Sequence, residues 1–257
     1  MQVPGKERTK LITFGISHFC EKARWALDWH SVPYTEVCWP PGVHLRLARK
    51  MGVPKSSVPI LAVGDKFIQE SSRIVDWAER SGTGVRHSLI AEGEPEEAEA
   101  IEKRLDSIAA IQTRRYLYGA ILPKHHHLVK PALFMNTSTL HRLQGNLMWP
   151  VTRKRIMQIY DANATTVSDS RDTLEQELDW LDRRLAEGRQ FLVGDRFSRV
   201  DLAAASILAP LARPPKLQQY SSMELPPEVL DIVGQWSKRP TIQWVNGLYT
   251  DYRPLYQ

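Results

Sequence analysis

Residues 9 to 80 change hydrophobic period every few positions. Leu11-Ile12-Thr13-Phe14 is a short apolar strand candidate. From there Phe19, Ala23, Ala26, Leu27 and His30 recur at helical spacing and predict a helix over 19–30. Pro33 marks a turn, and Tyr34 to Trp39 alternates at period two, which predicts a second strand ended by Pro40-Pro41-Gly42. Val43 to Lys50 reads as a short helix closed by Gly52 and Pro54. Pro59 to Val63, the pair Gly64-Asp65 and then Lys66-Phe67-Ile68 form a hairpin pattern. Ile74, Trp77 and Ala78 then share one helical face. The predicted order is strand, helix, strand, helix, strand, strand, helix.

Ser81-Gly82-Thr83-Gly84 breaks this pattern and Ala91-Glu92-Gly93-Glu94-Pro95 starts a new one, so residues 83–94 read as a linker between a first domain, 1–82, and a second, 95–257. Strand signal is almost absent from the second domain. Glu96 to Leu122 is a long helix candidate with Ile101, Leu105, Ile108 and Ile111 on one side, and Leu174, Leu178, Leu181 and Leu185 repeat that spacing. Two more helices are expected over 227–238 and 241–252. Pro123, Pro131 and Pro150 interrupt residues 123–170, where an irregular connection or a bent helix is expected. Asp195 to Leu202 is a helix start. Ser198 is placed to cap Asp201, the Asp201 carboxylate to reach back to Ser198, and Phe197 and Leu202 occupy the hydrophobic-staple positions.

The 257 residues, 42% hydrophobic and 25% charged, are those of an ordinary globular chain with room for a well-buried core. No apolar run approaches the roughly 18 to 20 residues of a membrane span, and the basic start Met1 to Arg8 has no apolar stretch behind it, so neither a membrane partner nor a secretory signal is expected. Cys20 and Cys38 are the only cysteines, which suits a reducing, cytoplasmic compartment. The net charge of +5 comes from basic residues mostly scattered or mixed with acids, and no nucleic-acid signature accompanies it. His125-His126-His127 do not share a helical face and no nearby Cys or carboxylate completes a set, so no metal is expected.

Three short segments carry the candidate chemistry: Ser17-His18-Phe19-Cys20 ahead of the first helix, Val58-Pro59, and Gln69-Glu70-Ser71-Ser72. Taken from the residues alone, Ser17 and Glu70-Ser71 are helix caps and Pro59 the start of a strand. In order and separation, however, the three resemble the thioredoxin-like domain of glutathione transferases, and the string from Val193-Gly194-Asp195 to Ser198-x-x-Asp201 resembles the capping motif of that family's helical domain. The resemblance implies an α/β plus all-α fold: an N-terminal thioredoxin-like domain that binds glutathione and a C-terminal helical bundle. It also implies a cytoplasmic homodimer.

The resemblance further assigns roles by position. Ser17 is implied as the catalytic hydroxyl that donates to the glutathione thiolate. Val58, ahead of a cis Pro59, would offer its backbone to the cysteinyl unit. Glu70 and Ser71 would hold the γ-glutamyl end, and Lys55 the glycyl carboxylate. The thiolate would be conjugated to, or used to reduce, a hydrophobic electrophilic or peroxide-bearing second substrate, whose walls are sought between the domains at Ile16, His18, Arg115, Tyr116, Tyr118 and Leu122. The magnitudes are adequate. Lowering a thiol pKa by two units requires about 2.7 kcal/mol; one hydrogen bond to a charged group supplies about 1.5 to 3 kcal/mol, and a helix amino terminus about 0.3 to 1 kcal/mol. Where the redox branch of the fold has Cys-x-x-Cys, this chain has Ser17 first, so dithiol exchange is closed to it. Two alternatives stay open: a non-catalytic binding protein on the same fold, and a thiol transferase or lyase dependent on Cys20.

Overall fold

The computed structural model describes residues 9–84, 86–91, 93–186 and 188–254. Four strands, β1 (Thr9–Thr13), β2 (Thr35–Cys38), β3 (Ile60–Val63) and β4 (Lys66–Gln69), form one sheet in the order β2-β1-β3-β4. β1 and β2 run parallel, joined across α1 (His18–Trp29), whereas β1–β3 and β3–β4 are antiparallel. Gly64 turns the β3–β4 hairpin at φ 56°, a value glycine adopts without a Cβ penalty. Strand alternation sorts the apolar side chains. Leu11 and Leu61 join the main core with α1 and α3 (Ser71–Ser81), while Ile12, Ile60 and Ala62 form a smaller core with Trp39 and Ala48 of α2 (Val43–Met51).

From Pro95 onward the described residues are helical: α4 (Pro95–Arg104), a π-helical turn at Leu105–Ala109, α5 (Ala110–Leu133), α6 (Thr139–Ile159), α7 (Ala164–Ala186), α8 (Arg199–Ala212), α9 (Gln218–Ser221), α10 (Pro227–Trp236) and α11 (Pro240–Asp251). The thioredoxin-like sheet domain and the helical domain expected from the sequence are both present. The interrupted stretch 123–170 resolves into a bend and a second helix. α5 runs through Pro123 and Pro131 and bends at His125 (φ −117°, ψ 26°), and α6 contains Pro150. A proline inside a helix removes one hydrogen bond and crowds the carbonyl four residues back, which bends the helix but need not end it when packing holds both halves.

α8 stands at the centre of the helical domain, with every residue after Arg199 buried. Its start is the predicted capping box. Asp201 accepts from the Ser198 N–H at 2.8 Å and from the Ser198 hydroxyl at 2.9 Å, and it also accepts from the Leu192 N–H at 2.8 Å. Burial pushes the Asp201 carboxyl up to about 6 in spite of those donors. The segment between the domains is itself packed: Leu89 is buried in the core and its carbonyl accepts from the Arg199 N–H at 2.8 Å.

The two domains are joined through charges on α1. Of its twelve residues all but Phe19 and Asp28 are buried, including Glu21, Lys22 and Arg24. The Lys22 ammonium, fully enclosed, pairs with Glu102 at 2.9 Å and Asp106 at 2.8 Å in the helical domain. Arg199 of α8 ties Glu102 at 2.7 Å to Asp76 of α3 at 2.6 Å. Arg253, beyond α11, reaches Glu21 at 2.8 Å and Asp28 at 2.7 Å. Burial alone would raise the Glu102 carboxyl, but Lys22 and Arg199 outweigh it and hold it below the usual carboxylate range. A depressed carboxyl contributes stability above its unfolded value near 4.3 and loses that contribution as pH falls through its folded value. Glu102→Gln is therefore expected to cost about 3 kcal/mol at pH 7, and the gap from the parent protein should narrow below about pH 4. Urea unfolding of both proteins at the two pH values measures this, and an unchanged gap would refute the coupling.

Candidate functional site

The register of the sheet places the three candidate segments at one end of it. Ile12 at the end of β1 pairs with Ile60 at the start of β3, and Ile60 pairs with Gln69 at the end of β4. The loop to Ser17 leaves β1 there, Val58-Pro59 enters β3 there, and Glu70-Ser71 leaves β4 there. Ser17 is the N-cap of α1, in extended conformation (φ −83°, ψ 120°), and its hydroxyl oxygen accepts from the Cys20 N–H at 3.3 Å. Accepting that bond leaves the hydroxyl proton available, so capping the helix and donating to a bound anion are compatible roles for one side chain. The loop ahead of it is fixed from the helical domain: the buried Tyr220 hydroxyl donates to the Ile16 carbonyl at 3.0 Å.

The Val58–Pro59 peptide bond is cis. Beside it Gln69 works as a clamp, its side chain accepting from the Lys55 N–H at 3.1 Å and donating to the Lys55 carbonyl at 2.6 Å. Glu70, the residue before α3, has φ 75° and ψ 127°, a left-handed value that a residue with a Cβ holds only when its surroundings impose it. Lys55 and Glu70, expected at opposite ends of a ligand, are paired with each other at 2.6 Å with both side chains exposed, and Lys55 lowers the Glu70 carboxyl. An exposed pair of this kind contributes about 0 to 1 kcal/mol, so it is separated at small cost. Ser71 is buried at the first position of α3.

Cys20 lies one turn into α1 and is fully buried. Burial pushes its thiol up to about 11, and Arg24 and the Ser17 hydroxyl only partly offset that. Cys38 is also buried, and neither cysteine is disulfide-bonded.

Between the domains lies a small, mostly apolar cavity of about 30 Å³. Ile16, His18 and Tyr118, all anticipated as second-substrate walls, line it together with Thr113, Arg114 and Leu117. Arg115, Tyr116 and Leu122 do not. The helical turn of α5 sets this, because positions 114, 117, 118 and 121 share the inward face. Tyr116 instead packs on Trp236, with ring centroids 5.4 Å apart. Burial, with Arg114 and Lys22 nearby, holds the His18 imidazole neutral, well below its ordinary range. Its Nε2 and the Thr113 hydroxyl are buried polar atoms without a hydrogen-bond partner. A wider cleft, about 720 Å³, opens along the β2 edge between Glu36, Met135, Lys216 and Arg253, and it includes none of Ser17, Val58 or Glu70. The three consecutive histidines take separate surroundings: His126 accepts from the Trp149 indole N–H at 3.3 Å and His125 lies 3.6 Å from Glu228. Among the described residues no group of three or more His, Cys, Asp or Glu is placed to hold a metal.

Gln69 falls within one of the three segments but with no role assigned by the pattern, and Thr113, Arg114 and Tyr220 carry no sequence signal for the site. Gln69 and Tyr220 act on backbone carbonyls and amides, which leave no mark in a residue pattern. Arg114 and Arg115 are indistinguishable until the phase of the helix is known.

The family model for the glutathione S-transferase N-terminal domain matches residues 11–84, and that for the C-terminal domain matches residues 153–239. The chain belongs to the glutathione S-transferase superfamily. Solved structures repeat this two-domain fold along nearly their whole length. The β-etherase LigF from Sphingobium sp. strain SYK-6 is 18% identical with a TM-score of 0.58, over 92% of this chain and 98% of that one. A glutathione S-transferase from Methylobacterium radiotolerans, in complex with glutathione sulfonate, is 19% identical with a TM-score of 0.53, over 97% and 96%. FzlA from C. crescentus is 17% identical with a TM-score of 0.55, over 93% and 91%. A search of curated proteins gave no match. In this glutathione S-transferase fold the clamp at Gln69 is open to a direct test. Gln69→Ala should speed hydrogen exchange at the Lys55 amide and cost about 1 to 2 kcal/mol of stability. Unchanged exchange at Lys55 would show that the loop holds without it.

Proposed function

We propose that the protein is a glutathione transferase. It binds glutathione at the shared end of β1, β3 and β4, stabilises the thiolate through the Ser17 hydroxyl and the amino terminus of α1, and directs the sulfur at a hydrophobic electrophile held near Ile16, His18 and Tyr118. The observation that carries this reading is the convergence of Ser17, the cis Val58–Pro59 bond and Glu70-Ser71 on one sheet end, with Ser17 capping the first helix there. Val58 precedes the ladder, so its backbone is placed to pair with an extended peptide as an added strand. Ser71 and the first turn of α3 suit a carboxylate. Neighbours solved with lactoylglutathione and with glutathione sulfonate support glutathione as co-substrate, and the β-etherase neighbour supports an ether among the candidate second substrates. Family membership supports a homodimer in the cytoplasm, with detoxification as its setting.

Ser17→Ala removes one hydrogen bond to an anion. Turnover at neutral pH should fall about tenfold to a hundredfold, and the thiolate titration should move up by about one to two pH units. Glutathione affinity should change little, because the peptide backbone and carboxylate contacts are intact. Kinetics with a chlorinated nitrobenzene and the ultraviolet absorbance of the bound thiolate read the two effects separately; full turnover with an unmoved titration would remove Ser17 from the mechanism.

Burial of the Cys20 thiol favours this reading over a Cys20-dependent exchange. Cys20→Ala should keep wild-type turnover. Loss of activity in that variant, with survival in Ser17→Ala, would reverse the assignment. Absence of a bound thiolate signal in the parent protein would instead favour a non-catalytic binding role.

A further inference from the structure

Helix α6 packs with one side only. Gly145, Trp149 and Thr152 face inward: Gly145 is closed against Phe134 and Pro40, and Trp149 sets its ring edge-on to Phe134 with centroids 5.8 Å apart. On the opposite side, about 200° around the helix at 3.6 residues per turn, Leu140, Leu143, Leu147 and Val151 follow one another at helical spacing. They are 63%, 68%, 84% and 74% exposed. Four aliphatic side chains in one outward row exceed the scattered exposed leucine of ordinary surfaces. The row lies in the stretch between the two family matches, which end at residue 84 and resume at residue 153.

The charge around the row selects its partner. Between Asp106 and Asp161 there is no acidic residue, while Lys and Arg recur throughout, so this segment alone carries more than the whole chain's +5. Arg142, Lys154 and Arg155 are exposed on α6 itself. A two-fold pairing of α6 with a second copy would set Arg142 of one copy toward Lys154 and Arg155 of the other, and like charges across an interface are costly. Protein interfaces concentrate their energy in aromatic residues and Arg, with Leu and Val under-represented, whereas this row is Leu and Val alone. Single-stranded nucleic acid would need aromatic platforms, and the row has none. Leucines along one line of a helix with Lys and Arg beside them fit the interface of an anionic bilayer, where the aliphatic row enters the acyl boundary and the cations meet headgroup phosphates.

We propose that α6 seats the protein on an anionic phospholipid surface. The contact is peripheral: no helix among the described residues is long and apolar enough to cross a membrane, and a helix that lies on a bilayer does not need that length.

Co-sedimentation of the full chain with vesicles tests this. Binding is expected to phosphatidylcholine vesicles containing phosphatidylglycerol and not to phosphatidylcholine alone, and it should weaken as salt rises. Leu143→Ser combined with Leu147→Ser should lower binding about tenfold or more. Because both side chains are exposed, thermal stability and glutathione-dependent turnover should stay at parent values. Lys154→Glu with Arg155→Glu should lose anionic selectivity while the fold is retained. The proposal is overturned if the parent protein ignores both vesicle types, or if the double serine variant binds them equally well. It is likewise overturned if the parent binds an acidic Glu/Leu amphipathic helical peptide while leaving vesicles in solution, which would assign the row to a protein partner. Neither result depends on the glutathione chemistry.

Discussion

The structure depends on neutralising the charges that α1 buries. A helix enclosed on nearly all sides would ordinarily be apolar, yet α1 places Glu21, Lys22 and Arg24 out of water. Each is matched by a residue remote in sequence: Arg253 for Glu21, Glu102 and Asp106 for Lys22, Glu36 for Arg24. Buried ion pairs contribute little net stability against an apolar alternative, but an unmatched member is strongly destabilising. Their effect is therefore specific: the helical domain and the C-terminal segment are held to the sheet domain in one arrangement. Trp25 and Trp29 of the same helix, packed against Phe197 from the loop before α8, add apolar contact to this joint.

That joint also positions the candidate site. Ser17 sits where α1 begins, and the loop before it is held from the other domain by Tyr220. A hydroxyl and a helix end are weak devices singly, about 1.5 to 3 kcal/mol for the first and about 0.3 to 1 kcal/mol for the second. They act only if the sulfur is presented at hydrogen-bond distance. The sheet register supplies the rest of the ligand's expected contacts at the same end, and Gln69 fixes the loop that brings Lys55 beside Glu70. His18 adds a neutral polar atom at the border of the small cavity between the domains, its imidazole kept uncharged by the same burial that surrounds α1.

The bend of α5 and the helix α6 lie away from this joint. α6 leans on α5 and on the loop before α2 through Gly145 and Trp149, leaving its outward row unmatched. A peripheral helix of this kind is free to take a second role, because its outward residues take no part in the packing that positions Ser17.

The sequence by itself determined the element order of the first domain, the all-helical second domain, the capping box at Ser198 and Asp201, and the three segments that meet at one end of the sheet. These are legible because they are local: hydrophobic period, turn residues and cap spacing are set within a few positions. Tertiary structure decided what depends on phase and distance. It chose Arg114 and Leu117 over Arg115 and Tyr116 at the cavity, paired Lys55 with Glu70, enclosed Cys20, and carried α5 through its prolines. It also buried the charges of α1, which a helical pattern reads as a solvent face. Each of these outcomes is fixed by partners tens to hundreds of residues away, and no local pattern records which groups the folded chain brings together.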